Sequence, residues 1–271
     1  MISKYLWKVI TIAFPAWLFL TGSVFAHDPV FSPGPHVLFK DGVEIHAGAT
    51  RDKQDNATED EQSLAFKYGL TGDWVAGVEI PYERSKDELA TQKGVGDITL
   101  STKYRFWRKD TMGAQESAAV LLKLKLDSSG AEVSTDTTDL MLGFTYGYES
   151  LKWYRWASVR YRFNQDRGDL QRGDRLFVDM AIGYRPQVHD YRAPDTVLIL
   201  ELNGEIRERN ALNGVDIGAS GGNQWFVSPG VLWTLRNFAV KAGVQIPVYS
   251  NLNGNQPRSD YRASLELEWY L

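Results

Sequence analysis

Twelve runs of alternating apolar and polar residues, each about ten to thirteen residues long, follow one another from Val37 to the last residue. A period of two sends successive side chains to opposite faces of a strand. The last run, Ser259 to Leu271, is the clearest. Tyr261, Ala263, Leu265, Leu267, Trp269 and Leu271 share one face, and Arg262, Ser264, Glu266, Glu268 and Tyr270 share the other. Run length constrains the fold more than alternation does. A tilted strand needs roughly 9–11 residues to cross a bilayer, whereas the usual strand of a soluble sheet has about 5–6.

The twelve runs cover about 37–50, 62–70, 73–84, 96–107, 116–127, 138–149, 153–164, 174–185, 196–207, 224–235, 237–249 and 259–271. Long polar connections follow the odd-numbered runs, at 51–60, 85–95, 128–136, 165–173, 208–222 and 250–257. Short ones follow the even-numbered runs. Long loops at one end and short turns at the other are the asymmetry of outer-membrane barrels, and an even strand count puts both termini on the short-turn, periplasmic side. The fold expected is all-β: a transmembrane antiparallel up-and-down barrel of about twelve strands over 37–271.

A secreted sandwich would give the same alternation with its apolar face inward. Aromatic placement separates the two. Tyr82, Tyr104, Phe106, Tyr148, Tyr184, Trp225, Trp233 and Trp269 stand near run ends on the apolar face, where interfacial girdles lie. The closing strand must also pair with the first, because lipid tolerates no open edge. That pairing sets Arg262, Glu266 and Glu268 beside Glu44 and His46, and predicts an acidic seam there.

Residues 1–26 have the pattern of a cleaved signal peptide: Lys4 and Lys8, an apolar stretch from Val9 to Leu20, then Val24-Phe25-Ala26. The stretch is short for a membrane anchor. Removal takes the formal net charge from −4 to −6, which gives no electrostatic basis for binding nucleic acid. Residues 27–36, with three prolines and a glycine between His27 and Pro35, are expected as an irregular periplasmic lead-in. Cysteine is absent, so disulfides, thiolate metal sites and cysteine nucleophiles are excluded.

From Gly218 onward the sequence carries Gly222-Asn223-Gln224-Trp225, Ser228-Pro229-Gly230-Val231, Ala242 to Tyr249 and Asn251-Leu252-Asn253-Gly254. Gly94-Val95-Gly96-Asp97-Ile98, Gly34-Pro35-His36 and Phe39-Lys40 belong to the same pattern. On these residues the chain resembles the outer-membrane β-barrel family labelled "MetA-pathway of phenol degradation", whose members are described as transporters. The resemblance implies location and fold more than cargo. Many such barrels end on Phe, where this chain has Leu271.

On the barrel reading, the polar face lines a lumen. The expected pore-lining residues are Glu44, His46, Glu79, Lys103, Arg105, Lys123, Lys125, Arg160, Arg162, Asp179, Glu201, Glu205, Lys241, Arg262, Glu266 and Glu268. Bases concentrate on runs four, five and seven, acids on runs three, nine and twelve. Such a transverse separation orients a polar solute and excludes apolar ones. The same charges could instead pair across a narrow lumen and fill it, as in small barrels. The function expected is passive movement of small solutes between exterior and periplasm. The alternative is a closed barrel with a structural, binding or lipid-hydrolase role.

Partners expected are outer-membrane lipid, a small solute and the outer-membrane assembly machinery. No cofactor or metal site is assigned. An exposed amino terminus at His27, with Asp28 and His36, has copper-binding groups, but a polar leader is the plainer reading. Gly218-Ala219-Ser220-Gly221-Gly222 matches G-x-S-x-G, which needs a strand-to-helix turn; here it lies in a Gly/Asn-rich loop. His46 has only Ser63 as a neighbouring serine. No enzyme is expected.

Overall fold

The structure, a computed structural model, describes residues 28–189 and 192–271. The leader expected over 1–26, and His27 with it, lies outside the described residues. Twelve long antiparallel strands form the wall. They are β1 (Val43–Gln54), β2 (Ala57–Thr71), β3 (Trp74–Lys86), β4 (Thr99–Thr111), β5 (Ala114–Lys125) and β6 (Asp139–Ser150). They continue as β7 (Trp153–Phe163), β8 (Arg175–Tyr184), β9 (Asp195–Arg207), β10 (Gly222–Leu235), β11 (Phe238–Leu252) and β12 (Ser259–Tyr270). Each pairs with its neighbours in chain order, and β12 also pairs with β1, which closes the sheet. Ile45 faces Trp269, Ala47 faces Leu267 and Thr50 faces Ser264 across that closure.

Burial is inverted relative to a soluble protein. Met180 is 59% exposed, and Leu64, Ile80, Leu198, Leu265 and their outward neighbours are also exposed, while Glu201 is 1% exposed. A sandwich would bury its large apolar side chains. A lipid-facing barrel exposes them and buries its charges in the lumen. Aromatics gather at the short-turn end of the outer face. Trp153 packs on Tyr184 at 4.8 Å between centroids, Phe238 on Trp269 at 5.0 Å and Phe106 on Phe144 at 6.1 Å.

Two expectations about the connections and the lead-in are corrected. Residues 51–60 are not a long loop. β1 and β2 stay paired up to Gln54 and Ala57 and turn over Asp55 and Asn56 alone, with Asp55 at φ 38°. The residues looked loop-like because Arg51, Asp52, Lys53, Glu59 and Asp60 are charged, but strands rising beyond the membrane keep alternating with polar residues on both faces. The segment 28–38 is irregular, as its prolines require. It does not lie apart from the barrel, however; it folds up inside it.

Candidate functional site

The even residues of β7 and the odd residues of β8 and β9 point inward, which brings Arg160, Arg162, Asp179, Glu201 and Glu205 to one wall. Ser158 Oγ and Arg160 donate to Asp179 at 2.7 and 2.8 Å, and Asn203 donates to its other oxygen at 3.0 Å. Glu205 takes Arg175, Arg207 and Arg262 at 3.1, 2.9 and 3.3 Å. Arg262 also reaches Asp52 at 2.8 Å and lies over the Phe226 ring. Towards the periplasmic end, Lys241 sits between Glu266 and Glu268 at 2.6 and 2.8 Å, and Lys67 meets Glu44 at 2.7 Å.

The closure therefore is not left acidic. The carboxylates of Glu44, Glu266 and Glu268 meet as expected, but lysines from the adjacent strands β2 and β11 compensate them. His46 Nε2 lies 3.4 Å from Glu266. His46, Glu266 and Glu268 bring ligand-type atoms within 4.8 Å of one another, but the Lys241 ammonium already bridges the two carboxylates. Lys125 pairs with Asp139, and Arg105 with Asp73 beside a short turn. Glu79 and Lys123 line the same large cavity as Lys103.

The feature that sequence reasoning missed is the inner segment. It enters at the short-turn end, where Asp41 and Gly42 exchange backbone hydrogen bonds with Gly69. His36 pairs with Glu149, Pro35 lies against Gly147, and the Pro33 carbonyl accepts from Thr145 Oγ1 at 2.9 Å. At the top, Val30 N, Phe31 N and Ser32 Oγ all donate to the Glu201 carboxylate, at 2.8, 3.0 and 2.7 Å. The chain then turns back, and Lys103 holds both Asp28 and the Gly34 carbonyl at 2.8 Å.

The wall is cut away to admit this loop. Gly230 and Gly243 face each other across β10 and β11. A Cβ at either would come within 2.9 Å of Val30 or 2.8 Å of Phe31. The inward glycines on β6, β10 and β11 were the available sequence signal, since a barrel wall has no other need for bare inward positions there.

A cavity of about 1170 Å³ surrounds the segment and reaches the short turns at Gly72, Gly113 and Arg236. A second hollow of about 520 Å³, lined by Glu59, Glu61, Glu83, Gln245 and Arg262, opens at the long-loop end. Phe31 lines both. Above them, Asp97 accepts from Ser128 N, Ser129 N, Ser134 Oγ and Thr135 N at 3.3, 3.1, 3.0 and 3.1 Å, tying two outer loops together. Burial alone would raise the Asp97 carboxyl, but these donors outweigh it and hold the group below its usual range. Ser220 is engaged locally: its hydroxyl donates to the Ile217 carbonyl at 2.6 Å and accepts from Asn210 N at 2.9 Å.

Closed sheet, lipid-type outer face and charged lumen together define an outer-membrane β-barrel. The chain belongs to the family described as "Putative MetA-pathway of phenol degradation", which matches residues 26–256. A comparison with curated proteins finds no match. Among solved structures, the COG4313 outer membrane channel from Pseudomonas putida F1 superposes with a TM-score of 0.68 at 15% identity, covering 89% of this chain and 99% of that one. The NanC porin superposes with a TM-score of 0.53 at 12% identity, covering 84% of this chain and 100% of that one. At such identities the likeness is one of fold.

Proposed function

We propose that this protein is an outer-membrane channel through which small polar solutes pass passively between the exterior and the periplasm, with segment 28–38 as its constriction. One observation carries the reading. Two cavities, of about 1170 and 520 Å³, approach from opposite ends of the lumen and meet at Phe31. Charged side chains line both, among them Glu79, Lys103 and Lys123 in the larger and Glu61, Glu83 and Arg262 in the smaller, and the barrier between them is the single short segment 28–38. The P. putida structure is called a channel and the NanC structure a porin, which agrees with this reading. Of the sixteen residues expected to line a pore, Lys125, Arg162, Asp179, Glu201 and Glu205 line neither cavity and the other eleven line one of the two; the partners on this reading are membrane lipid, the assembly machinery and a small solute.

A closed barrel is the competing reading, and the pairing of Lys67, Lys103, Lys241 and the arginines with carboxylates favours it. Catalysis has no support from Ser220, whose hydroxyl is committed to a loop turn. Planar-bilayer recordings decide between channel and closed barrel. The channel reading expects discrete steps from the refolded protein and larger steps after deletion of residues 28–36. Silence from both proteins would sink it.

A further inference from the structure

The outward face of one quadrant of the barrel turns basic where it leaves the lipid. On β3 the outward residues run from Trp74 through Ala76, Val78 and Ile80 to Tyr82, then change to Arg84 and Lys86. Trp74 and Tyr82 are eight residues apart, about 20 Å along the barrel axis at the usual rise and tilt. An outer-membrane apolar band is about 25 Å tall, so Arg84 stands at the height of the outer-leaflet headgroups. A short strand, Thr91–Val95, pairs with β3 there and widens the wall.

The pairing register aligns two outward rungs at this height. Arg51 faces Asp60, Asp60 faces Arg84 and Arg84 faces Lys93; above them Lys53 faces Thr58, Thr58 faces Lys86 and Lys86 faces Thr91. Eight positions thus hold five cations and one carboxylate. Asp60 takes two hydrogen bonds from Arg51, at 2.6 and 3.1 Å, and lies within electrostatic reach of Arg84. The Lys53 ammonium rests on the Asp55 and Ala57 carbonyls. Arg84, Lys86 and Lys93 are exposed, and among the described residues neither of these two lysines has an ion pair. The opposite side of the same rim differs. There the outward Asp174 and Glu208 carboxylates accept from the Tyr161 hydroxyl at 3.1 and 3.2 Å. The excess of cations belongs to one quadrant.

A hollow of about 850 Å³ opens on this outer face. Arg51, Arg84 and Lys93 line its upper part, and Ala49, Ala263 and Leu265 its lower part. The two alanines leave a furrow that runs down from the cations into the apolar band. Like charges held together are unfavourable until a counter-charge joins them. Guanidinium forks and ammonium groups match phosphate oxygens, and a basic cluster at a membrane surface selects anionic headgroups. A soluble anion would use the cations alone. A ligand with a phosphate head and an acyl tail uses both parts of the hollow.

We propose that this quadrant of the outer rim is a binding site for a phosphorylated glycolipid of the outer leaflet, its phosphate held by Arg84, Lys93 and Arg51 and one acyl chain lying over Ala49 and Ala263. The site is on the outside of the wall, so it stands or falls independently of the channel reading.

The probe is bis-phosphorylated hexa-acyl lipid A, added in neutral detergent to the full refolded barrel and followed by native mass spectrometry, beside the same lipid with both phosphates removed. One phosphorylated lipid is expected to stay on each barrel, and the dephosphorylated form to bind about ten-fold more weakly, the size of one charge-assisted hydrogen bond. R84Q/K93Q should bind both lipids at the weaker level. K152Q, in the short turn between β6 and β7, should keep the difference. An unchanged heat-modifiable gel shift checks that each variant is folded. Equal affinity of the wild type for both lipids, or no binding of either, overturns the proposal. So does a phosphate-dependent affinity that R84Q/K93Q leaves intact, which would place the lipid elsewhere on the barrel. A dimer that R84Q/K93Q dissolves and lipid A does not displace would seat a second copy of the chain on this face, and also overturns it.

Discussion

Glu201 is nearly inaccessible to solvent and yet accepts three hydrogen bonds from one short segment, at Val30, Phe31 and Ser32. Buried donors left without an acceptor cost about 1–3 kcal/mol each. Removing the carboxylate should therefore free the loop apex while the wall, held by its backbone ladder, survives. E201A is expected to raise the conductance several-fold or make it flicker, with an unchanged gel shift on heating; steps identical to wild type would mean that Glu201 does not anchor the constriction. Asp97 acts outside the membrane in the same manner. Its folded pKa lies below the unfolded value, so its contribution is complete above that unfolded value, about 3.9, and is lost as pH falls through the folded value. Wild-type protein in lipid should resist pepsin in loop 126–138 at pH 4 and be cut there at pH 2. D97N should be cut at both. Equal resistance of D97N and wild type at pH 4 would remove Asp97 as the loop tie.

At the scale of elements, the strands and the inner segment are legible to different degrees, for a physical reason. Every strand alternates because one face meets lipid and the other meets water or charge, so all twelve can be read from period and length. Their ends are less legible where the wall rises past the membrane. Gln54 and Ala57 are paired strand residues, but no lipid face marks them, and charge alone made the region look like a loop. Segment 28–38 has no period at all. Pro29, Pro33 and Pro35 forbid a ladder, and nothing within those residues says whether they lie beside the barrel or in it. The information sits on the partner strands, as the facing pair Gly230 and Gly243. Those glycines yield a prediction about the element as a whole. G243V puts branched atoms where Phe31 and Val30 now lie and takes away the notch that seats the apex, so the segment should leave the lumen. Expected outcomes are larger conductance steps and new protease sensitivity of residues 28–38 from the periplasmic side. A G243V barrel with wild-type conductance and a protected segment would show that the segment is held elsewhere.

For the whole molecule, the decisive property is that the sheet has no edge. A strand edge in hydrocarbon would leave backbone donors and acceptors unpaired, each at a cost of several kcal/mol, so the pairing of β1 with β12 sustains every other pair in the wall. It is also the pairing with the longest sequence separation, and it must form last if the hairpins form locally. The absence of cysteine makes this closure directly testable. Thr50 and Ser264 are opposite one another and both face the lumen, where an aqueous oxidant can reach them. Cβ atoms of such a pair lie about 4.5–5.5 Å apart, near the range a disulfide spans with small adjustment. In T50C/S264C, oxidation after folding should link the first strand to the last, so that the boiled protein is a closed loop of more than two hundred residues and migrates faster than its reduced form. Moving one cysteine a single residue along, as in T50C/L265C, turns it to the lipid face and should abolish the shift. Equal cross-linking of both variants would mean the register slides; no cross-linking of T50C/S264C in folded, heat-modifiable protein would mean that the barrel does not close through these two strands.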